Sequence, residues 1–299
     1  MKRRQLIQLA FSLSLAALSG SGRAFAASVQ SPRWVILNWG LTEMALSLGI
    51  VPVGIAAPLW YRRLFSAPSL PADVADVGLL YQPNYETLRD LKPTLLVITP
   101  GHLMAKAQLQ QIAPLLVLET DSEQPLALAK SNLQKMAAAL SQPQRAEQVI
   151  ASVNQRLARA RQAAQPFIKT PLYLARPVDS LHLYLFGAGS LFHDVLNELG
   201  LTNANQLPVG AMGATLITVD SLATSAPGRV VLLPAYPQTD VTTEITSRLW
   251  QSLPMLQAKN LLTLPDGLSE NGGLITAARF AEYLVQALQQ GNQQQGGNL

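Results

Sequence analysis

The chain carries three histidines, His102, His182 and His193, and no cysteine. That inventory narrows the chemistry at once. A thiol nucleophile is excluded, and no G-x-S-x-G elbow presents a serine. None of the histidines stands in an H-E-x-x-H spacing. A zinc or manganese cage needs several His, Asp or Glu side chains that converge, and the histidines are too dispersed to suggest one. Gly187-Ala188-Gly189-Ser190 precedes a helical pattern but has Phe192 where a third glycine of G-x-G-x-x-G would fall. It reads as a tight turn with Ser190 as N-cap rather than a phosphate cradle. No catalytic residue, cofactor or protein-held metal is expected, and the chain does not read as an enzyme.

Residues at strand ends carry more. In open α/β sheets, ligands bind outside the carboxyl ends of the strands. Trp39 ends the first apolar strand pattern, and Trp60, Arg62 and Arg63 follow the second. Tyr81 lies just before a short helix, and His102 follows the strand pattern TLLVI. In the second half Arg176 ends Tyr173-Leu174-Ala175, Met212 and Tyr236 stand in loops, and Ser269 and Asn271 follow another strand candidate. One such aromatic is usually packing. Several of them converging on one face would line a pocket for a large, partly apolar ligand.

The elements that must position these residues alternate between short apolar strands and helical segments, which favours parallel α/β units. Strands are predicted over Arg33–Trp39, Val53–Ala56, Thr94–Ile98 and Leu115–Leu118. Helices are predicted over Thr42–Leu48, Asn84–Leu91 (with Asn84 as N-cap) and Lys106–Ala113. Gln124–Ala164 is helical in composition and interrupted near Ser141-Gln142-Pro143. From Arg145 onward Val149, Val153, Leu157 and Ala160 form one narrow apolar stripe on a long helix. In the second half Leu172–Leu174 and Leu181–Phe186 read as strands joined by a turn at Pro177-Val178-Asp179-Ser180. Ser190–Leu199 is a helix stopped by Gly200. Thr215–Asp220, Val230–Leu233 and Leu261–Leu264 supply further strand or turn candidates, and Thr276–Gln289 is the last helix. The predicted organisation is a lobe at 27–140, a connecting helix at 141–168, a lobe at 169–290 and a disordered tail at 291–299. The fold class is α/β: two doubly wound α/β lobes joined by one long α-helix, with a ligand cleft between them.

Hydrophobic residues make up 48% of the 299 and charged residues 13%, a balance that belongs to a packed globular chain. The first 26 residues stand apart: Lys2, Arg3 and Arg4, then an apolar run from Leu6 to Leu18, then Ala24-Phe25-Ala26. That is the form of a cleaved secretory signal, too short in its apolar part to span a bilayer. Arg3-Arg4 also has the form of a twin-arginine signal. Sec signals carry adjacent arginines too, so both export routes stay open. Of the 22 basic residues, Lys2, Arg3, Arg4 and Arg23 lie in this segment, leaving 18 against 18 acidic residues. The net charge of +4 therefore belongs to the leader, and a nucleic-acid partner loses its support. With no cysteine to carry a lipid, the mature protein is expected free in a periplasm and not as a lipoprotein; it is expected to be a monomer.

The order of motifs resembles the class III periplasmic binding proteins, which serve ABC importers of iron siderophores, haem and cobalamin. The resemblance runs from Arg33 to about Leu288. It is carried by RWVILNW, TEMALSLGIVPVGIA, DVGLLYQPNYETLRDLKPTLLVI, LFGAGSLFHDVLNELG, ITVDSLA and LWQSLPMLQAKNLLTLP. Within that class it is most similar to the ferric-hydroxamate (ferrichrome-type) group. The resemblance implies capture of a ferric siderophore, of hydroxamate or of mixed or carboxylate type, and its delivery to an inner-membrane permease. It implies that Glu86 in PNYETL and Asp220 in ITVDSL are the acidic positions that dock on that permease. It also implies a pocket that departs from the group. Leu80-Tyr81 stands where an arginine follows DVGL, His102 near a tyrosine, Met212 in place of a tryptophan, and Leu268-Ser269 near another, while Trp39 is retained. On this view Arg62, Arg63, Arg176 and His102 would meet a more anionic chelate. A haem- or cobalamin-binding protein of the same fold is the nearest alternative, with Tyr81 or His102 as axial ligand; an exported enzyme is the more distant one.

Overall fold

The apolar segments pair into two separate sheets in the computed structural model, which describes residues 32–236, 250, 252–257 and 260–296. Residues 1–31 and the segment 237–249 lie outside the described residues, so the signal-peptide expectation does too. In the first sheet β1 (Trp34–Ile36), β2 (Gly54–Ile55), β3 (Ala75–Asp76), β6 (Leu95–Ile98) and β7 (Leu115–Val117) run parallel in the order β3-β2-β1-β6-β7. A two-residue-tipped hairpin, β4 (Gly78–Leu79) and β5 (Gln82–Pro83), leaves its edge. The second sheet orders β10 (Ala214–Thr218), β9 (His182–Phe186), β8 (Leu172–Pro177), β11 (Arg229–Leu232) and β12 (Leu261–Thr263). Here β8, β11 and β12 are parallel, while β9 is antiparallel to both β8 and β10. The turn at Pro177–Ser180 returns the chain at once, so this half carries an antiparallel edge on an otherwise parallel sheet.

Period-two alternation sends each strand's side chains into two cores. Trp34, Ile36 and Val97 of the first sheet and Leu172, Leu174 and Val231 of the second join one buried cluster. The helices between the sheets complete it: Met44, Leu133, Val153, Phe192 and Phe280 come from α1 (Trp39–Ser47), α5 (Pro125–Ala139), α6 (Pro143–Ala164), α7 (Leu191–Leu199) and α8 (Leu274–Gly296). The opposite faces are covered separately. Val35, Leu37, Leu96 and Ile98 pack on Leu88 and Leu109, which belong to α3 (Tyr85–Asp90) and α4 (Lys106–Gln110). Tyr173, Ala175, Val230 and Leu232 pack on Trp250 and Leu256. A shared central core makes the two lobes one packing unit.

The connecting helix α6 is 22 residues long, about 33 Å at 1.5 Å per residue. Its buried line is Ala146, Val153, Leu157, Ala160 and Ala164, with Val149 half-buried. Arg156 on its outer face holds Glu282 of α8 in a bidentate pair at 2.7 Å. Arg145 donates to the Leu48 carbonyl at the end of α1. The helix is thus tied to elements of both lobes by packing and by charge.

Three expectations shift. The first strand ends at Ile36, because the Asn38 side chain accepts from Leu41 N and caps a helix that begins at Trp39. The predicted helix at 106–113 is α4, five residues long and ending at Gln110, and a 3₁₀ turn (Pro100–Ala105) precedes it. The last helix runs Leu274–Gly296, so the tail predicted from 291 is helical as far as 296. Among the described residues, no helix is long and apolar enough to cross a membrane.

Candidate functional site

The carboxyl ends of both sheets open on a cavity of about 470 Å³. Its walls come from both lobes: Asn38, Gly40 and Met44 at the start of α1, Tyr81, and Thr99–Gly101 after β6 on one side; Gly189, Met212 and Glu270–Gly272 on the other. The segment Glu119–Ser122, between β7 and α5, and Asn132 of α5 close the third side. A wider groove of about 760 Å³ continues past Asp121, Ser122 and Met212 to Glu123, Val209 and Gly210.

Of the residues read from the sequence, Tyr81, Met212 and Asn271 line this cavity. Tyr81 is at the tip of the β4–β5 hairpin and 68% exposed. Its ring lies against Gly101, where an added Cβ would come within 2.7 Å of Tyr81 Cε1. Met212 is 47% exposed and held at φ 58°, a left-handed conformation that costs a side-chain-bearing residue energy. Its neighbour Gly213 takes φ 63° with Ser190 N and Ala188 O too close to admit a Cβ. The 187–190 turn and the Met212 loop are therefore pressed backbone to backbone. Ser190 caps α7 through His193 N, as the turn predicted.

His102 does not line the cavity. It is buried, with Nε2 2.6 Å from the Leu80 carbonyl and Nδ1 3.2 Å from Thr99 N. A carbonyl only accepts, so Nε2 carries the proton and Nδ1 accepts from Thr99 N–H. The ring centroid is 5.3 Å from that of Tyr81. His102 thus pins the hairpin tip on which Tyr81 sits.

The arginines are also placed elsewhere. Arg176 is buried, donates to the Pro234 and Leu268 carbonyls at 2.6 and 2.7 Å, and pairs with Glu270 at 3.2 Å. Tyr236 completes this cluster: its hydroxyl donates to Glu270 Oε1 at 2.6 Å and its ring lies 5.0 Å from the guanidinium. Burial and the neighbouring Glu270 carboxylate push the Tyr236 phenol well above its ordinary range. Arg62 donates to the Pro71 carbonyl, and Arg63 lies over Trp60. Trp60 in turn leans on Trp39, whose indole N–H donates to the Ala56 carbonyl. Arg63 and Arg176 share a separate small pocket of about 200 Å³ with Asp266. Ser269 is buried, and its hydroxyl accepts from Asn271 N. The strand-end cations thus serve loop architecture, and no Lys, Arg or His is found among the described residues lining the main cavity.

Two features were missed at the level of sequence. Glu119 and Asp121 follow a strand end, the position that should have drawn notice. Glu43 is buried within α1 and accepts from Gly273 N, Ile275 N, Thr276 N and Thr276 Oγ at 2.5–3.2 Å. It caps the start of α8 from the other lobe; the periodicity of TEMALSLG marked only an apolar helix. Glu86 and Asp220 are both exposed, Glu86 in the first turn of α3 behind the Asn84 cap and Asp220 in a 3₁₀ turn after β10.

The periplasmic binding protein family profile matches residues 35–268. The chain belongs to this family. Its members are substrate-binding transport proteins rather than enzymes. Over 291 residues, 96% of each sequence, the chain is 33% identical to the iron(3+)-hydroxamate-binding protein FhuD of Escherichia coli strain K12. The crystal structure of Fe³⁺–Desferal-bound FhuD from Vibrio cholerae superposes with a TM-score of 0.80 at 25% identity, covering 86% of this chain and 98% of that one. The petrobactin-binding protein YclQ of Bacillus subtilis gives a TM-score of 0.68 at 14% identity, over 86% of this chain and 91% of that one. It shares the fold. The two-lobed α/β architecture is that of the class III members of the family.

Proposed function

We propose that this chain is an exported periplasmic protein that captures a ferric siderophore in the cleft between its lobes and delivers it to an inner-membrane ABC importer. The siderophore is of the hydroxamate class. The iron is cargo, held by its chelator, and the protein supplies walls, orientation and docking acids.

One observation carries the choice of class: the main cavity is lined by Glu119, Asp121 and Glu270 with no basic side chain among its described lining. Ferric complexes of three hydroxamates have a neutral core, whereas catecholate and carboxylate complexes are anionic. An acidic cleft repels the latter and tolerates the former. The anionic chelate expected from Arg62, Arg63, Arg176 and His102 has no cation to meet there. The likeness over 96% of its length to a hydroxamate-binding relative supports the same class. Both ring nitrogens of His102 are engaged by Thr99 and Leu80, so of the two axial ligands considered for haem only Tyr81 faces the cavity.

Glu86 and Asp220, one exposed acid on each lobe, are proposed to meet basic residues of the permease. The capture reading is tested by fluorescence quenching of the four tryptophans with ferric hydroxamate, catecholate and carboxylate siderophores, haemin and cobalamin. Saturable quenching by the hydroxamates is expected. Quenching by haemin alone, or by no iron chelate, rejects it.

A further inference from the structure

With no cysteine in the chain, methionine is the side chain that oxidants reach at sulfur. Of the six methionines, five lie among the described residues. Met44 and Met136 are buried, and Met255 packs against the second-lobe core. Met104 is 98% exposed and lines neither the main cavity nor the groove beside it. Met212 alone among the five is both exposed and part of the cavity wall. It lines the groove as well, so it stands where the two spaces join.

The backbone keeps it there. Met212 sits at φ 58°, a conformation that a residue with a side chain holds only where its surroundings impose it. Here Gly210 N donates to the Ala214 carbonyl at 2.9 Å and Gly213 N to the Gly210 carbonyl at 3.2 Å, which closes the turn on β10. Gly187 N donates to the Gly213 carbonyl at 2.8 Å and fastens that turn to the one before α7. A turn tied at both ends does not carry its side chain off the wall, so a change at the sulfur is felt in the cleft.

We propose that Met212 is an oxidation site that regulates capture: the thioether is the binding-competent form, and its sulfoxide weakens chelate binding. This rests on the reading of the cleft as a ferric-siderophore site. The oxidant is hydrogen peroxide. A sulfur lone pair attacks one peroxide oxygen, the O–O bond breaks, and the other oxygen leaves as water after proton transfer. Sulfur is oxidised by two electrons and the peroxide is reduced by two. A flexible apolar side chain thereby becomes a polar acceptor. The wall already holds Glu119, Asp121 and Glu270. An S=O dipole beside them faces the oxygen-rich surface of a hydroxamate chelate, and the apolar contact of the thioether is lost. A bound chelate covers the sulfur, so the loaded protein resists oxidation. The empty protein gives up affinity until the sulfoxide is reduced.

The test treats the purified protein with hydrogen peroxide, with and without saturating ferric desferrioxamine B, and follows each methionine by peptide mass mapping. Affinity for the same chelate is read by tryptophan quenching before and after treatment of the empty protein. Met212 is expected to oxidise in the empty protein and to be shielded in the loaded one, while Met104 oxidises equally in both. Oxidation should weaken binding about three- to tenfold, the worth of one half-buried apolar side chain. Methionine sulfoxide reductases A and B together should restore it. Whatever the starting affinity of Met212→Leu, treatment should leave that affinity unchanged. Three results overturn the proposal while the siderophore reading stands: unaltered affinity after treatment, no shielding of Met212 by the chelate, or an equal loss in Met212→Leu. If the untreated protein does not bind the chelate, the siderophore reading fails and the proposal with it.

Discussion

Glu43 and Thr276 are 233 residues apart in sequence and 2.5 Å apart in the fold, carboxylate oxygen to hydroxyl. Glu43 belongs to the first helix of one lobe and Thr276 to the first turn of the last helix of the other. The same carboxylate accepts three backbone N–H groups of that turn, which an α-helix start cannot satisfy internally. A second long-range cap mirrors it: Asp194 of α7 accepts from Leu126 N at the start of α5 at 3.0 Å. Both caps lie beside the cleft, because α1, α5, the segment Glu270–Gly272 just before α8 and the turn before α7 all contribute to its walls. They hold the walls in register before any ligand arrives.

Removing the cap should therefore cost more than an ordinary N-cap. Glu43→Ala leaves Gly273, Ile275 and Thr276 N–H unmet in a buried place, and a loss of about 2–4 kcal/mol is expected. Urea unfolding of wild type and variant measures it. A loss no larger than that of a surface substitution would show that solvent replaces the carboxylate.

The pH dependence of that loss has a defined sign. Burial pushes the Glu43 carboxyl above its ordinary value, and the four hydrogen bonds from the α8 turn oppose this only in part. The folded state then binds this proton more tightly than the unfolded chain does. Its contribution is full below about pH 4.5, the unfolded value, and declines as pH rises through the folded one. Unfolding free energies of wild type and Glu43→Ala, followed from acid to neutral pH, should draw closer as pH rises. Divergence would reverse the assignment.

Gly40 offers a test of how closely the lobes touch. A Cβ there would lie 2.2 Å from the Asn271 carbonyl oxygen, and backbone cannot swing aside like a side chain. Gly40→Ala should cost about 1–3 kcal/mol by overpacking. It should also weaken chelate binding, since the displaced segment carries Glu270 and Asn271 into the cavity wall. Calorimetric melting and quenching titrations together check both effects.

The hairpin tip predicts a coupling. His102 is argued to act on the ligand only through the seat it gives Tyr81. Tyr81→Ala should weaken chelate binding by about three- to tenfold, the worth of one aromatic contact. His102→Ala should do the same in part, and the double variant should lose no more than Tyr81→Ala alone. Additive losses would mean that His102 reaches the ligand by another route.

What was readable in the sequence, and what was not, divides by range of interaction. The apolar runs of β1 and β8, the Asn84 and Ser190 caps and the buried line of α6 are local patterns, and each lies close to where the sequence predicts it. Arg176 is the counter-example. At a strand end it looked like a pocket cation, yet its fate depends on Glu270 and on the Leu268 carbonyl, 92 residues on. Trp39 reads as a strand terminus because the apolar run continues to it, while the Asn38 cap starts a helix there. The acids of the cleft hold a position equivalent to that of His102, since Glu119 and Asp121 follow β7 just as His102 follows β6, but an exposed acid in a loop carries no local pattern that sets it apart from a solvated one.

The docking role proposed for Glu86 and Asp220 can be separated from capture by experiment. Glu86 is exposed at the start of α3, where the helix dipole favours a negative charge, and Asp220 is exposed on the second lobe. Neither lines the main cavity. Reversing either charge should weaken the encounter with a basic permease surface, and reversing both should lower iron–siderophore uptake by about tenfold or more. Chelate affinity of the purified Glu86→Lys/Asp220→Lys protein should change little, because the cavity walls keep their composition. Uptake assays in cells expressing the variant, paired with quenching titrations, distinguish the two stages. Full uptake by the double variant would remove these acids from the permease interface, and an equal loss of chelate affinity would assign them to capture instead.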